Sequence, residues 1–309
     1  MPLVPHLGQI KRVLAEKQFD VVHVQVPYSP FMAQPVIHKL QPQTALVGTF
    51  HVYPAHKLAI VGSKALKILY GRSLRRFDTQ LSVSSAAQAF AETAYGIDSA
   101  ISPNMVNMAR LKAVEPVKKD SRQRIVFLGR LVERKGGRQL LAAFALLRQN
   151  HPQVELVIAG DGPQRTQLEK FVKQNKLKKS VRFLGYVSEK DKPTILASAD
   201  VACFPSLYGE SFGIVLIEAM AAGAGVVLGG SNPGYASVLA AQPQLLVDPK
   251  NAADFASRLE KLLSDNILIQ RLHDWQQTAV KKYDVRTVGP QVLAVYRRAI
   301  AKRCASRHN

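Results

Sequence analysis

The amino-acid sequence predicts an α/β protein with two doubly wound, Rossmann-like domains, each a parallel sheet covered by helices. Short apolar runs alternate with helical stretches along the chain, a pattern typical of parallel strands that are buried on both faces. The 309 residues also exceed the roughly 100–200 residues of one average domain. Pattern and length together therefore favour two such domains in succession.

The second half of the chain predicts one complete domain of this kind. Its apolar runs predict strands at residues 125–129, 154–160, 181–187, 201–206, 225–230 and 245–248. Helices are predicted between these strands, for example at residues 138–149 and 164–175.

The first half carries fewer strand signals, at residues 21–26, 46–50 and 80–84. The charged segment 110–123 contains a proline and has no apolar period, which predicts a linker. We therefore divide the chain into a first domain at residues 1–112 and a second at residues 113–285. The basic stretch 286–309 is predicted to be a C-terminal helix that crosses back to the first domain.

The net charge is the unusual bulk property, since 42 Lys and Arg against 22 Asp and Glu give +20. Such an excess favours anionic partners, either nucleic acid or an anionic membrane face, unless it is a general basic preference. No zinc-finger, helix-turn-helix or basic–aromatic motif supports a specific nucleic-acid partner. Only two cysteines are present, Cys203 and Cys304, so we expect no disulfide framework and a reducing cytosol.

The motif FLGRLVERKGG follows the first predicted strand of the second domain. It leaves that strand at Gly129 and enters a helix near Gly137, so Arg130 and Lys135 are placed at the carboxyl end of the strand. Ligands of open α/β sheets bind at that edge. Two cations there suit a diphosphate, and a solvated basic turn is the alternative.

The stretch GESFGIVLIEAMAAG places two glutamates, Glu210 and Glu218, eight residues apart. The apolar run between them predicts a helix that ends at Gly223, with Ser211 as its N-cap. The helix N-terminus would offer free N–H groups to an anion, and each carboxylate could accept two hydroxyl hydrogen bonds from a sugar. The alternative is that Glu218 is an ion-paired core residue and Glu210 a surface charge.

Three further features have both a functional and a structural interpretation. His51 follows a predicted strand and could contact a reacting sugar or carry a proton. His23 lies inside a predicted strand, which favours a buried side chain with its hydrogen bonds made within the protein. Lys192 lies in a loop that either borders a nucleobase or only connects two elements. The basic amphipathic segment 64–77 either lies on anionic lipid or packs on the sheet.

Together these residues resemble a family-4 retaining glycosyltransferase of the GT-B fold, over nearly the whole chain. The two glutamates, spaced E-x7-E, are the most specific part of the match, and GRLVERKGG is next. FDVVHVQVPYSP, GTFH, PNMVN and NPGYASVL extend it. Within the family the chain is most similar to the branch of phosphatidylinositol mannosyltransferases and related lipid glycosyltransferases.

The resemblance implies a role for each candidate residue. Arg130 and Lys135 would bind the donor diphosphate, Glu218 the ribose and Glu210 the hexose. His51 would touch the sugar at the reaction centre. The remaining donor contacts would come from the backbone of Phe212, Gly213, Ile214 and Val215, and from Val187 and Lys192 near the base.

The resemblance also implies the reaction. A hexose would pass from GDP-mannose or UDP-glucose to a lipid or glycan acceptor with retention of configuration, without a cofactor or an essential metal. The leaving phosphate would act as the base. The basic segments would hold the enzyme at the cytoplasmic, inner face of a membrane.

The sequence departs from the family at two places. Met105 and Asn107 stand where the family usually has glycine and aspartate. The chain opens at a point that matches the interior of the family's first domain, so we expect that domain to be incomplete, short of roughly 70–90 residues with a glycine-rich loop. An inactive or partner-dependent fragment that binds nucleotide sugar is therefore the alternative, and a polyanion-binding protein is less favoured.

Overall fold

The structure is a computed structural model that describes residues 7–29, 33–54, 63, 67–68, 70–112 and 122–305. Its contacts divide the chain into two compact units. One comprises Met1–Asn104 and Arg286–Asn309, and the other comprises Met105–Val285.

The boundary between the units lies at residue 104, eight residues before the position predicted from the sequence. Two backbone hydrogen bonds explain the difference. The Val106 N–H donates to the Tyr283 carbonyl and the Val285 N–H to the Val106 carbonyl, each at 2.9 Å. These bonds tie Val106, four residues before the predicted linker, to the second unit.

The first unit contains a parallel sheet in which the strands lie in sequence order. Its strands are β1 (Val21–Gln25), β2 (Ala45–Phe50), β3 (Thr79–Ser82) and β4 (Ala100–Ile101). The described helices that precede or connect them are α1 (Leu7–Glu16), α2 (Ala33–Lys39) and α3 (Ser85–Tyr95). Strand β4 was not predicted, because its two residues carry no periodicity.

Each face of this sheet buries a separate apolar cluster. On one face, Leu46 and Phe50 of β2 pack with residues of α2 and α3. On the other, Ala45 and Val47 of β2 pack with side chains of the C-terminal helix, Val285–Ala305. The C-terminal helix therefore completes the core of the first unit, and its Arg303 pairs with Asp78 at 2.6 Å.

The second unit contains a six-stranded parallel sheet in the order β10-β9-β8-β5-β6-β7. The strands are β5 (Arg124–Leu128), β6 (Glu155–Ala159), β7 (Val181–Gly185), β8 (Val201–Phe204), β9 (Val226–Gly230) and β10 (Leu246–Val247). Strand order reverses beside β5, and in open α/β sheets the crevice at such a point is where ligands bind. The predicted doubly wound arrangement is present.

The helices of the second unit are α4 (Met108–Lys112), α5 (Gly137–Asn150), α6 (Arg165–Gln174), α7 (Lys192–Ala197), α8 (Ile214–Ala222), α9 (Pro233–Leu239), α10 (Ala252–Ser264) and α11 (Asn266–Ala279). The predicted linker thus begins as helix α4, and residues 113–121 lie outside the described residues. The basic segment 64–77 is described in part, with residues 70–74 helical. Among the described residues, no helix has the length and apolarity needed to cross a membrane.

Candidate active site

A cavity of about 490 Å³ opens at the carboxyl end of the second sheet, where Leu128, Ala159 and Phe204 end strands β5, β6 and β8. Six of the residues predicted to bind a donor line it: Arg130, Lys135, Val187, Lys192, Val215 and Glu218. The fold therefore brings together residues that are up to 88 positions apart in the chain, from Arg130 to Glu218.

The loop after β5 supplies the basic side of the cavity. Lys135 Nζ lies 2.7 Å from Glu210 Oε1, and Arg134 Nη1 donates to the same oxygen at 2.8 Å. The loop then turns at Gly136, with φ 73°, where a Cβ atom would come within 2.0 Å of the Pro205 carbonyl oxygen. Only glycine fits this turn, which fixes the approach of the two cations to Glu210.

Two arginines of this loop have different surroundings. Arg130 is exposed in the cavity wall and has no carboxylate partner among the described residues. Arg134 was not predicted, although it lies in the same basic motif, because a sequence does not show which of several adjacent cations faces a ligand. The structure thus leaves Arg130 available to an anion and places Arg134 beside Lys135.

Helix α8 begins at Ile214, two residues later than an N-cap at Ser211 would place its start. Its N-cap is Gly213, at φ 98° and ψ 58°, and no side chain caps the first turn. The prediction of Ser211 as N-cap is therefore wrong: a Cβ atom on Gly213 would meet the Tyr235 ring at 2.5 Å, and this close packing sets where the helix starts. The uncapped N–H groups leave this end of α8 suited to an anion.

The candidate residues at the start of α8 divide into buried and accessible ones. Phe212 is 2% exposed, and its ring packs edge-on against Tyr283 at a centroid distance of 5.4 Å. Only the backbone of Phe212 is therefore left for a ligand. Ile214 is 45% exposed and Val215 lines the cavity.

Glu218 lines the cavity as part of a second ion-paired group. Lys192 Nζ lies 2.7 Å from Glu218 Oε1 and also 2.7 Å from Glu189 Oε2. The side chains of Glu218 and Lys192 are 15% and 13% exposed. The ion-paired alternative for Glu218 thus describes its contact correctly, and the pair also lines the cavity. Glu189 was not predicted.

The ionisation of this group follows from its burial. Burial raises the pKa of Glu218, and the hydrogen bond from Lys192 only partly offsets that effect. Burial alone would lower the pKa of Lys192, but its hydrogen bonds to Glu189 and Glu218 raise it. Lys192 is therefore a stable cation, and Glu218 takes up a proton more readily than an exposed glutamate.

Two charged groups are gathered at the cavity, and we call them its basic end and its acidic end. At the basic end Lys135 and Arg134 share one oxygen of Glu210, which is not itself among the lining residues, and Arg130 lines the cavity without a carboxylate partner among the described residues. At the other end Glu218 and Glu189 share the single ammonium of Lys192. Tyr186 is 81% exposed and lines the cavity next to Val187.

His51 belongs to the first unit and follows β2 directly. Its ring is half-buried and its Nε2 is hydrogen-bonded to the Gln25 side-chain oxygen. Burial lowers the pKa of His51, so the ring is neutral near pH 7. His23 has both ring nitrogens bonded, to Tyr296 and Thr49, as expected of a satisfied strand histidine.

Comparison with known proteins identifies the family. The model of the family "Glycosyl transferases group 1" matches residues 110–282, and that of "Glycosyltransferase Family 4" matches residues 2–110. The chain belongs to the group 1 glycosyltransferases. The predicted resemblance to family 4 is confirmed.

Individual relatives agree with this assignment. The glycosyltransferase is 33% identical to phosphatidyl-myo-inositol mannosyltransferase from Mycobacterium tuberculosis, over 93% of this chain and 76% of that protein. It is also similar to a solved glycosyltransferase from Rickettsia africae, with a TM-score of 0.78, 17% identity and coverage of 95% and 80% of the two chains. Anabaena HepE in complex with UDP and glucose matches with a TM-score of 0.75, 20% identity and coverage of 94% and 80%. The predicted GT-B fold is confirmed.

In the described part of the glycosyltransferase, no group of three His, Cys, Asp or Glu side chains lies close enough to hold a metal ion.

Proposed function

We propose that this glycosyltransferase transfers a hexose from a nucleotide-diphosphate sugar to a lipid or glycan acceptor, with retention of configuration. The observation that carries the proposal is the cavity with one basic and one acidic end at the carboxyl edge of the second sheet. A nucleotide sugar has a matching order of groups, with a diphosphate between two polyols. The mannosyltransferase name of the 33% identical relative favours GDP-mannose and a lipid acceptor over UDP-glucose and a glycan.

The basic end suits the diphosphate. Arg130 has a planar guanidinium without a carboxylate partner among the described residues, and it can bind two phosphate oxygens at once. The uncapped N-terminus of α8 adds backbone N–H groups of Gly213, Ile214 and Val215. Lys135 would complete the neutralisation, since its side chain is 19% exposed and can reorient from Glu210 toward an added phosphate.

The acidic end suits the ribose and the base. Glu218 can accept hydrogen bonds from two vicinal hydroxyls while Lys192, which is also paired with Glu189, holds the carboxylate in place. Val187 and Tyr186 offer an apolar edge and an aromatic face to the base. Glu210 would hold the hexose hydroxyls at the basic end.

The transfer breaks the bond between the anomeric carbon and the diphosphate oxygen, and the bonding electrons leave with the diphosphate. The acceptor hydroxyl forms the new bond on the same face of the sugar, and its proton passes to the departing phosphate oxygen. The cations at the basic end stabilise the charge that develops on that oxygen. This role requires no metal, and His51 would contact the sugar at the reaction centre.

The proposal is tested by calorimetric titration of GDP-mannose and of UDP-glucose into the full chain. We expect GDP-mannose to bind more tightly than UDP-glucose. An Arg130→Met variant should bind GDP-mannose about tenfold or more weakly, because a charged hydrogen bond is lost. Turnover in the presence of EDTA tests the metal independence. Binding of neither donor by a folded sample would overturn the proposal.

Donor binding should also depend on pH through Glu218. Because burial raises the pKa of this carboxyl, it is protonated at a higher pH than an ordinary glutamate, and it then loses the charge that accepts ribose hydroxyls. We expect the dissociation constant to rise as pH falls through this pKa. Protonation removes the cost of burying the charged carboxylate, so this group increases the free energy of unfolding as pH falls. The loss of donor affinity at low pH is therefore not caused by unfolding. A Glu218→Gln variant should bind weakly at every pH, and the same acid dependence in that variant would contradict the assignment.

The basic segment supports a peripheral position at the inner, cytoplasmic face of a membrane. Lys67, Arg72 and Arg75 are exposed and Ile68 is 89% exposed, whereas Arg76 is bonded to the Thr44 carbonyl and pairs with Asp78. A cation near an anionic surface contributes about 1 kcal/mol. We expect the Arg72→Gln/Arg75→Gln variant to bind vesicles with anionic phospholipid about 30-fold more weakly. The control Lys178→Gln/Lys179→Gln removes two exposed cations of the second unit, and an equal loss there would show that net charge alone is responsible.

A further inference from the structure

The carboxyl end of strands β1 and β2 carries a column of polar side chains on one face of the first sheet. Gln25 is in register with Thr49, and His23 with Val47 one step earlier. Successive residues of a strand alternate between faces, so His23, Gln25, Thr49 and His51 share a face. It is the face on which Ala45 and Val47 pack against the C-terminal helix. The polar side chains therefore lie on the same face as the apolar contact with that helix, and they extend from it to His51.

Tyr296 of the C-terminal helix connects to this column through His23. The Tyr296 hydroxyl lies 2.8 Å from His23 Nδ1, and the two rings meet edge-on with centroids 5.6 Å apart. His23 Nε2 lies 2.7 Å from Thr49 Oγ1. One imidazole thus joins the helix, β1 and β2, using both of its nitrogens.

These side-chain contacts matter because β1 is a terminal strand of the described sheet. In the described order it pairs with β2 alone. The Tyr296–His23–Thr49 bridge adds a second connection beside the backbone ladder, from His23 to Thr49, which is in register with Gln25. It restrains the strand ends that present these two residues.

Gln25 in turn determines the state of the His51 ring. Its side-chain oxygen accepts a hydrogen bond from His51 Nε2. That nitrogen therefore carries the proton, and Nδ1 has the lone pair. Gln25 itself is exposed, so packing does not hold it, and its position depends on β1. The tautomer of His51 therefore depends on the placement of β1 beside β2.

We propose that Tyr296, His23 and Gln25 are positioning residues that hold His51 in one tautomer and orientation at the carboxyl edge of the first sheet. The proposal gives the C-terminal helix a role in the reaction as well as in the core. It rests on the proposed function insofar as His51 acts on the donor sugar. None of the three residues touches the substrate in this account.

The test compares Tyr296→Phe and Gln25→Leu, each of which removes one hydrogen-bonding group with little change of size. We expect either change to lower kcat about 10- to 100-fold, as a small misplacement near a reaction centre does, with the donor KM unchanged. Gln25→Glu keeps an acceptor for Nε2–H and should retain more activity than Gln25→Leu. The control Gln43→Leu removes an exposed amide of the same unit, whose partner among the described residues is Gln41, and it should leave kcat unchanged.

A second measurement does not depend on turnover. Nitrogen-15 NMR of the eight histidines reports which ring nitrogen of His51 carries the proton. We expect the Nε2–H form in the full chain and in Gln25→Glu, and a mixture of tautomers in Gln25→Leu. An unchanged tautomer together with an unchanged kcat in Gln25→Leu and Tyr296→Phe would overturn the proposal.

The two measurements separate this inference from the proposed function. If the full chain transfers no sugar but shows the expected His51 tautomers, the proposed function fails and the positioning network stands. If the chain transfers sugar and His51→Ala is as active, the network has no catalytic residue to position and the inference fails alone.

Discussion

Replacing Glu210 by glutamine is expected to lower kcat/KM for the donor about 100- to 1,000-fold, the effect of removing one preorganised electrostatic group from an active site. The structure gives two reasons. Glu210 is the proposed acceptor for the hexose hydroxyls, and its one carboxylate oxygen also orders both Arg134 and Lys135. A neutral amide would weaken both functions while keeping the size of the side chain.

The measurement is donor turnover at several concentrations, followed by the unfolding temperature of the variant. Glu260→Gln is the matched control, because Glu260 also pairs with a basic residue, His151 at 2.9 Å, but is 44% exposed. An exposed ion pair contributes little, so we expect kcat/KM of that control to stay within about twofold. Full turnover in folded Glu210→Gln would contradict the assignment of Glu210 to the site.

Lys135→Met is expected to lower kcat/KM about 100-fold, because the variant loses a cation that would stabilise the departing diphosphate. Methionine keeps most of the length of the lysine stem and removes only the charge and its hydrogen bonds. The control Lys173→Met removes an exposed cation from helix α6 of the same unit. Similar losses in both variants would point to net charge and not to the cavity.

The double variant Glu210→Gln/Lys135→Met adds a sharper test. Since the two side chains are in direct contact at 2.7 Å, their effects should not add. We expect the double variant to lose less than the product of the two single losses. Strictly multiplicative losses would mean that the contact has no part in turnover.

Most of the second unit could be predicted from the sequence because its signals are local. Apolar runs marked all six strands to within a few residues, and the glycine-containing basic motif marked the turn after β5. The start of helix α8 could not be predicted in this way. A serine before an apolar run is a good local cap, but the packing of Gly213 against Tyr235 is a contact between distant parts of the chain.

The candidate site divides in the same way. The sequence predicted Lys135, Lys192 and Glu210 individually from positions after predicted strands, and Glu218 from its place in the helix that follows Glu210. It did not show that they form two ion-paired groups, because Lys192 and Glu218 are 26 residues apart and Lys135 and Glu210 are 75 apart. The boundary near residue 104 likewise depends on the pairing of Val106 with Tyr283, which no local pattern reports.

The most direct test of the central claim is transfer of labelled hexose by the full chain to vesicles that contain phosphatidylinositol. GDP-mannose and UDP-glucose, each labelled in the sugar, are supplied in parallel, and the extracted product is examined by NMR for its anomeric configuration. We expect labelled lipid from GDP-mannose, with the anomeric configuration of the donor retained. Absence of labelled lipid from both donors, with a folded sample, or a product of inverted configuration would contradict it.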